Sequence, residues 1–279
     1  MIFESKNMNL HINNGVPFLT FKRLEKISFI NHAFSTRVGG ISKGEYFSMN
    51  LSFGRGDSDD TVLENYKIFS SAAGFEYESL VSSVQDHKTN VRVVTKSDAG
   101  VGIYKPQDME SVDALITNDP GVTLVTHYAD CTPVFLVDMQ NKCIGLVHSG
   151  WRGTVNRIAA VTVKKMGEVF KTNPKDIVAA IGPTISKCCF EVDKPVADEF
   201  EHMTGLDSSR FVFDDKNGKY HIDLLECNKQ ILEKTGVLPQ NIELSDLCTV
   251  CCKDLLFSHR ATKGKRGGMA AMMAVNKDV

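Results

Sequence analysis

The chain has 279 residues, of which 42% are hydrophobic and 24% charged, and its formal net charge is -2. This composition is typical of a globular protein, and the slight negative charge argues against a nucleic-acid partner, which requires a basic surface. No run approaches the roughly 18 apolar residues that span a bilayer, and the N-terminus lacks a signal-peptide core, so we expect a cytoplasmic protein without a membrane partner.

Predicted strands and helices follow each other irregularly along the chain. The first half predicts a helix at residues 57–73 and strands at 27–36, 91–95, 113–117, 123–126, 133–138 and 143–148. The second half predicts helices at 154–170, 195–204 and 224–234, strands at 176–181 and 269–275, and a hairpin turning at Asn217-Gly218. This order is α+β rather than a regular βαβ alternation. Without an evident linker, we predict one compact domain over residues 1–279, with its core at about 27–276 and mixed β-sheets flanked by helices.

Three candidate metal ligands stand where strand-like runs end. His87, Cys131 and His148 each follow or precede an apolar segment and adjoin polar or glycine residues. Three nitrogen or sulfur ligands with a fourth position open are the arrangement of a catalytic zinc. The alternative is a buried cysteine with two hydrogen-bonded histidines, because the spacing of the three residues is not distinctive.

Several motifs resemble the laccase-domain family, also called polyphenol oxidoreductase laccases and now viewed as purine nucleoside phosphorylases. They run in the same order over residues 34–275 and comprise FSTRVGGIS at 34–42, MNL at 49–51, EN at 64–65, QDH at 85–87, DALIT at 113–117, ADCTPV at 129–134, VHSGWRG at 147–153, IGPTI at 181–185 and CCFEV at 188–192. The sequence departs from the family pattern at Lys88, where glycine is usual, and at His259, within a segment that often reads FSYRR.

The resemblance implies a zinc site of His87, Cys131 and His148, with copper as a possible metal. It also implies phosphorolysis of adenosine, inosine and S-methyl-5'-thioadenosine, together with deamination of adenosine to inosine. The partners would then be a small-molecule nucleoside and phosphate. The enzyme would be a monomer or a homodimer.

Further residues are candidates for substrate contacts. Arginine suits phosphate because its planar fork matches the phosphate oxygens, which favours Arg37 and Arg152, both in glycine-containing loops. Asn50, Asp113 and Glu191 are further candidate substrate residues. The proton shuttle for deamination could be Asp130, Asp113 or Glu191, and Trp151 could stack on a purine or pack beneath its loop.

Two other features are expected to have ordinary structural roles. Lys263, Lys265 and Arg266 form the densest basic run, which we expect to be a solvated loop. Cys248 and Cys251 form a C-x-x-C, but a structural zinc needs a second pair, which Cys188-Cys189 and Cys227 would supply only by accident of folding. We therefore expect buried thiols there, reduced because no export signal is present.

Three rival functions stay open. A copper-dependent polyphenol oxidase needs many imidazoles, whereas the chain has 8 histidines and no H-x-H pair. A metal-free cysteine hydrolase would use Cys131 as nucleophile and His148 as base. A scaffold protein with a structural metal would need a fourth ligand. His127 could supply it, because alternation along a strand would place His127 and Cys131 on the same face.

Overall fold

The computed structural model describes residues 3–108 and 110–277, and two six-stranded sheets form its centre. The first sheet has the order β1-β2-β3-β15-β7-β4. Its strands are β1 (Met8–Asn13), β2 (Val16–Phe21), β3 (Ile30–Ser35), β4 (Leu80–Ser82), β7 (Thr123–Tyr128) and β15 (Met269–Val275). Only the β4–β7 pair is parallel. β15, the last strand among the described residues, lies centrally between β3 and β7.

The second sheet has the order β14-β10-β8-β9-β6-β5 and carries most of the candidate site. Its strands are β5 (Val91–Val93), β6 (Ala114–Thr117), β8 (Thr132–Asp138), β9 (Cys143–Ser149), β10 (Ile177–Ile181) and β14 (Ile242–Leu244). The two edge pairs are parallel and the inner pairs antiparallel, so the sheet is mixed. Strands β8 and β9 are buried on both faces, which explains their nearly continuous apolar sequences.

A small third sheet and six helices complete the described part of the chain. The sheet has the order β11-β13-β12, from β11 (Glu191–Asp193), β12 (Val212–Asp214) and β13 (Lys219–Ile222). The helices are α1 (Asp59–Ala73), α2 (Trp151–Val155), α3 (Ile158–Phe170), α4 (Lys194–Glu201), α5 (Leu224–Thr235) and α6 (His259–Thr262). No helix among the described residues is long and apolar enough to cross a membrane.

Helix α1 shows how local sequence sets the element ends. Ser58 accepts a hydrogen bond from the backbone N–H of Thr61 and so caps the first turn, where Asp59 and Asp60 face the positive end of the helix dipole. Gly74 ends the helix in the left-handed conformation, with φ of 74°, which glycine adopts without steric cost.

The core is layered, because successive side chains of the second sheet point to opposite faces. Leu115, Phe135 and Leu146 face the first sheet, whereas Ile116 and Val134 pack against the side of α3 and α5. The outer face of the first sheet is covered by α1. The molecule is therefore a helix–sheet–sheet–helix stack.

The α+β fold, with mixed sheets flanked by helices in one compact domain, confirms the prediction. Two differences are local. Residues 154–170 are not one helix, since Arg157 adopts φ of 60° and separates α2 from α3. Strands β1 and β2 precede residue 27 and add to the first sheet, although no strand was predicted there.

Candidate metal centre

His87, Cys131 and His148 come together at one end of the second sheet. Their ligand atoms all lie within 4.8 Å of one another, and the two imidazole ring centroids are 4.9 Å apart. His148 is on β9, Cys131 directly precedes β8, and His87 lies in the loop that follows β4, with φ of 59°. Two imidazoles and one thiolate at this spacing fit zinc or copper.

The register of neighbouring strands places these ligands. β8 pairs with β9 so that Pro133 lies opposite His148, which puts Cys131 just beyond that pair. β6 flanks β9 on the other side, and the N–H of His148 donates to the carbonyl of Asp113 at 2.7 Å. Three adjacent strands therefore fix two of the ligands and their supporting carboxylate.

Asp113 orients the imidazole of His148. Its Oδ1 accepts the Nδ1–H of His148 at 2.8 Å and the backbone N–H of His87 at 3.0 Å, and its Oδ2 accepts the N–H of Lys88 at 2.8 Å. The bond to Nδ1 leaves Nε2 as the ligand atom, as in carboxylate–histidine–metal arrangements. Asp113 is fully buried and its oxygens are engaged, so its position suits orientation of a ligand rather than contact with substrate.

The electrostatics of the pair agree with this role. Burial raises the pKa of Asp113, but the bonds from His148 and from the backbone N–H groups outweigh it and keep the pKa below its usual value. Burial lowers the pKa of His148, whereas Cys131 and Asp113 raise it to about 9. The site therefore gathers negative charge around an imidazole, which favours a cation.

Gly150 is required for the ligands to approach one another. A Cβ at this position would lie 2.4 Å from His87 Nδ1 and 3.2 Å from Cys131 Sγ. Its φ of -65° is open to any residue, so steric contact with the ligands, not backbone conformation, demands glycine here.

His127 is not part of this ligand group. It shares a face of β7 with Val125, toward α1, and its ring nitrogen is hydrogen-bonded to the hydroxyl of Tyr66. Burial lowers the pKa of His127 to about 4, so it is neutral. The expected common face fails because β7 ends at Tyr128 and Asp130, with φ of 93°, turns the chain before Cys131. Within the described ranges, the group thus has three protein ligands, which leaves room for an exogenous one.

A two-lobed cleft meets at the ligand group. The larger lobe encloses about 730 Å³ and the smaller about 390 Å³, and both are lined by His87, Cys131, Ala129, Arg55 and Arg266. The volume of the larger lobe suits a small organic molecule.

Arg266 is a buried cation in this cleft without full pairing. It is 8% exposed, and its Nε has no hydrogen-bond partner among the described residues. Burial and the nearby charge of Arg55 lower the pKa of Arg266 to about 10. Two guanidinium groups at the junction of the lobes therefore form a site that an anion would stabilise. This finding replaces the expectation of a solvated basic run: Lys263 and Lys265 are exposed, but Arg266 is not.

Two of the predicted substrate residues, Arg37 and Asn50, are engaged in structural hydrogen bonds. Arg37 donates to the carbonyls of Phe47 at 3.1 Å and Lys253 at 2.9 Å, and Asn50 is fully buried and accepts the N–H of Gly268 at 2.9 Å. Neither is among the described residues that line the two lobes. Asn50 instead holds the loop that carries Arg266.

Arg152 and Glu191 also stand outside the lining of the two lobes, as far as the described chain goes. Arg152 is exposed and stacks on Trp151 at 4.2 Å, close enough for its charge to contribute to lowering the pKa of His87, after burial and His148. Glu191 is exposed on β11. Trp151 lines the smaller lobe, and so does Asp130, whose carboxylate accepts bonds from Thr249 Oγ1 at 2.6 Å and from the N–H of Arg260 at 2.7 Å.

Three residues of the cleft lining were not predicted from sequence as part of the site: Arg55, Arg266 and His259. All three lie in loops or at a helix start and line the smaller lobe. The sequence at His259 departs from the family pattern, and this departure falls on a residue that lines the smaller lobe. It is the sequence signal that pointed to His259.

The cysteine segments correct a further expectation. Cys188, Cys189, Cys248 and Cys251 form one group whose sulfur atoms lie within 4.8 Å of one another, and Cys188 and Cys251 are exposed rather than buried. Cys227 is apart from them, buried against Met203. The two segments meet because β14 pairs with β10, which brings the loops after these strands together.

Comparisons with known proteins give sequence and structural relatives of the chain. The family model described as multi-copper polyphenol oxidoreductase laccase matches residues 31–276. A Bacteroides thetaiotaomicron protein named purine nucleoside phosphorylase is 36% identical over 270 residues, which cover 96% of this chain and 100% of that one. The crystal structure of YlmD from Geobacillus stearothermophilus matches with a TM-score of 0.89 and 32% identity, over 96% of this chain and 99% of that chain. A Bacillus licheniformis hypothetical protein, YfiH, matches with the same TM-score at 30% identity, over 96% and 99%.

Proposed function

Because the chain belongs to the multi-copper polyphenol oxidoreductase laccase family and resembles relatives named purine nucleoside phosphorylase, we propose that it is itself such an enzyme. Its substrates are adenosine, inosine and S-methyl-5'-thioadenosine with inorganic phosphate, and it also deaminates adenosine. The observation that carries this proposal is the pair Arg55 and Arg266 beside His87, Cys131 and His148 in a cleft of nucleoside size.

Phosphorolysis requires an anion held against the sugar carbon that bears the base. Arg266 is buried and its Nε lacks a partner, so a phosphate oxygen would satisfy a donor that the protein leaves open. Arg55 adds a second positive charge at the same place. Burial of Arg266 strengthens its interaction with phosphate, and the two guanidinium groups together orient the phosphate for attack.

The donor set of the ligand group fits zinc, with copper as an alternative. Zinc bound there supplies Lewis acidity at the junction of the two lobes. Asp113 keeps the Nδ1 of His148 protonated, and Gly150 leaves space for His87 and Cys131 to converge. Asp113 and Gly150 therefore shape the ligand group without contacting the nucleoside.

Deamination needs a group that moves a proton to the leaving amine. Asp130 and His259 both line the smaller lobe, and burial with the charge of Arg266 lowers the pKa of His259. A neutral imidazole accepts and returns a proton near neutral pH, which supports His259 as the shuttle. Asp130 is held by Thr249 and by the N–H of Arg260, and positions the start of the helix that carries His259.

The enzyme acts in the cytoplasm as a monomer or homodimer on small-molecule substrates. The larger lobe offers aromatic and apolar side chains, including Phe53 and Tyr104, that suit a purine or a methylthio group. The cleft therefore offers apolar side chains to the nucleoside and two cationic guanidinium groups to the phosphate.

The test is product analysis with and without phosphate. The protein is incubated with adenosine, and adenine, ribose 1-phosphate and inosine are separated by chromatography. Adenine that appears only with phosphate supports phosphorolysis, and inosine without phosphate supports deamination. No turnover of any of the three nucleosides by metal-loaded protein would refute the proposal.

Arginine variants locate the phosphate site. Arg266→Gln removes a buried charged donor, so the KM for phosphate rises roughly 10- to 100-fold. Arg152→Ala, beside the cleft, produces a smaller increase. Arg37→Gln is the matched control, because Arg37 is bonded to backbone carbonyls outside the cleft. The KM of this variant for phosphate stays at the wild-type value. An Arg266→Gln enzyme with a normal phosphate KM would remove this assignment.

One alternative is favoured by a specific contact. Cys131, His148 and Asp113 form a line that resembles a nucleophile, base and orienting acid, as a metal-free cysteine hydrolase would require. His87 has no part in that mechanism. Loss of turnover both in His87→Ala and after chelation supports the metal enzyme, whereas retention in both supports the hydrolase. A copper-dependent polyphenol oxidase is tested by oxygen uptake with a phenol after copper loading.

A further inference from the structure

Four cysteines outside the cleft form a compact group on two loops. Cys188 and Cys189 lie in the turn before β11, and Cys248 and Cys251 lie after β14. Cys251 Sγ is 3.7 Å from Cys188 Sγ and 3.6 Å from Cys189 Sγ, and all four sulfurs lie within 4.8 Å of one another. Neither the cleft nor the proposed reaction uses them.

These distances suit a shared metal ion rather than a disulfide. Zinc–sulfur bonds of about 2.3 Å in a tetrahedron place the sulfurs about 3.8 Å apart. A disulfide requires about 2.05 Å between its sulfurs. The separations of 3.7 and 3.6 Å between Cys251 and the other two cysteines therefore match three ligands of one tetrahedral ion.

A backbone donor reaches the sulfur of Cys248 from the other loop. The N–H of Ser186 donates to Cys248 Sγ at 3.4 Å. Such donors stabilise negative charge on sulfur and orient the ligand. This donor comes from the loop of Cys188 and Cys189, so the two loops already converge at this sulfur.

We propose that Cys188, Cys189, Cys248 and Cys251 bind a second zinc ion, at a structural site. Four protein thiolates fill the tetrahedron and leave no open position for substrate. Thiolate ligands select soft or borderline cations such as zinc, so calcium and magnesium are poor occupants.

The site joins two loops that form one side of the smaller lobe. The loops already meet where the N–H of Thr249 donates to the carbonyl of Thr184. Ile185 and Phe190 flank the cysteines in sequence and line the lobe, and Thr249 bonds to Asp130. A zinc ion at the cysteines fixes this wall from outside the cleft.

The first test counts zinc in protein purified under reducing conditions. Cys131→Ala, which damages the cleft site, still holds about one zinc per chain, because the cysteine group is separate. Cys188→Ser/Cys251→Ser loses about one zinc per chain relative to the wild type. The control is Cys252→Ser, since Cys252 neighbours the group without belonging to it, and its zinc content stays at the wild-type value.

Cobalt(II) substitution identifies the ligands independently of zinc counting. Four thiolates give an intense sulfur-to-cobalt charge-transfer band, which persists in Cys131→Ala, whereas Cys188→Ser/Cys251→Ser retains only the weaker band of the single cleft thiolate, Cys131. Both replaced cysteines are exposed, and circular dichroism confirms that the double variant is folded. Absence of zinc and of this band from folded Cys131→Ala would overturn the proposal.

Thiol counting separates the proposal from a disulfide. In denaturant with a chelator, the wild type exposes all 8 cysteines of the chain as free thiols if the group binds a metal. A deficit of two thiols, restored by a reductant, would show a disulfide and overturn the zinc site.

Discussion

Replacement of Asp113 by Asn tests whether this residue orients a metal ligand. The change is nearly isosteric, but it converts one carboxylate oxygen into an NH2 group that cannot accept hydrogen bonds. Oδ1 accepts from His148 Nδ1 at 2.8 Å and His87 N at 3.0 Å, and Oδ2 accepts from Lys88 N at 2.8 Å and Asp86 N at 3.3 Å. Either orientation of the amide therefore sets its NH2 against two donors.

The cost is expected chiefly in metal affinity. An amide oriented to keep the bonds to Lys88 and Asp86 faces its NH2 toward His148, which then loses the bond that fixes its tautomer. Loss of such a supporting bond lowers metal affinity roughly 10- to 100-fold, or about 1.4 to 2.7 kcal/mol. The dissociation constant is measured by competition with a chromophoric chelator.

The matched control is Asp138→Asn, at the end of β8 that lies away from Cys131. Asp138 is equally buried, and it accepts from Gln140 N at 2.8 Å and from Asn141 N at 3.0 Å. Its replacement lowers the free energy of unfolding without changing metal affinity. If Asp113→Asn binds zinc at the cleft site as tightly as Asp138→Asn does, Asp113 does not orient His148 for a metal and the reasoning fails.

Two further substitutions probe sterics and titration. Gly150→Ala puts a Cβ 2.4 Å from His87 Nδ1 and weakens metal binding about tenfold or more, whereas Gly153→Ala, whose Cβ meets nothing nearer than 3.3 Å, leaves affinity unchanged. Equal chelator competition curves for the two variants would contradict this. Burial lowers the pKa of His32 to about 4, so the folded state resists protonation and stability falls as pH drops from about 6.5 to 4, by about 3 kcal/mol. Urea unfolding across this range shows a shallower pH dependence in His32→Gln than in the control His202→Gln at an exposed position, and identical slopes would exclude His32 as the source.

The sequence predicted best what depends on local pattern. The apolar runs at 133–138 and 143–148 are buried strands because both faces of β8 and β9 are covered. The break at Arg157 was not predictable, since the hydrophobic spacing of 154–170 continues across it while the backbone there turns left-handed. Periodicity reports which face is buried, not whether the helix axis is continuous.

The three candidate metal ligands were predicted through motifs, whereas the rest of the cleft was not. Arg55 and Arg266 are 211 positions apart and meet only because β15 lies between β3 and β7 in the first sheet. Sequence composition around Arg266 resembles an exposed basic loop. Asn50, distant in sequence, accepts the N–H of Gly268 and holds the loop that carries Arg266, a contact that no local pattern reveals.

The division between strands and loops explains how such a site could change substrate while keeping its metal. His148 and its carboxylate partner depend on the register of β6 with β9, and a shift of one residue would turn every side chain to the opposite face. The metal geometry is therefore bound to the stability of the central sheet. Arg55, Arg266 and His259 instead come from loops and a short helix start, where substitutions alter the cleft without moving a strand. Variation in nucleoside preference among proteins with this fold should consequently lie in those loops. A second zinc at the four cysteines would hold one wall of the smaller lobe in a constant position.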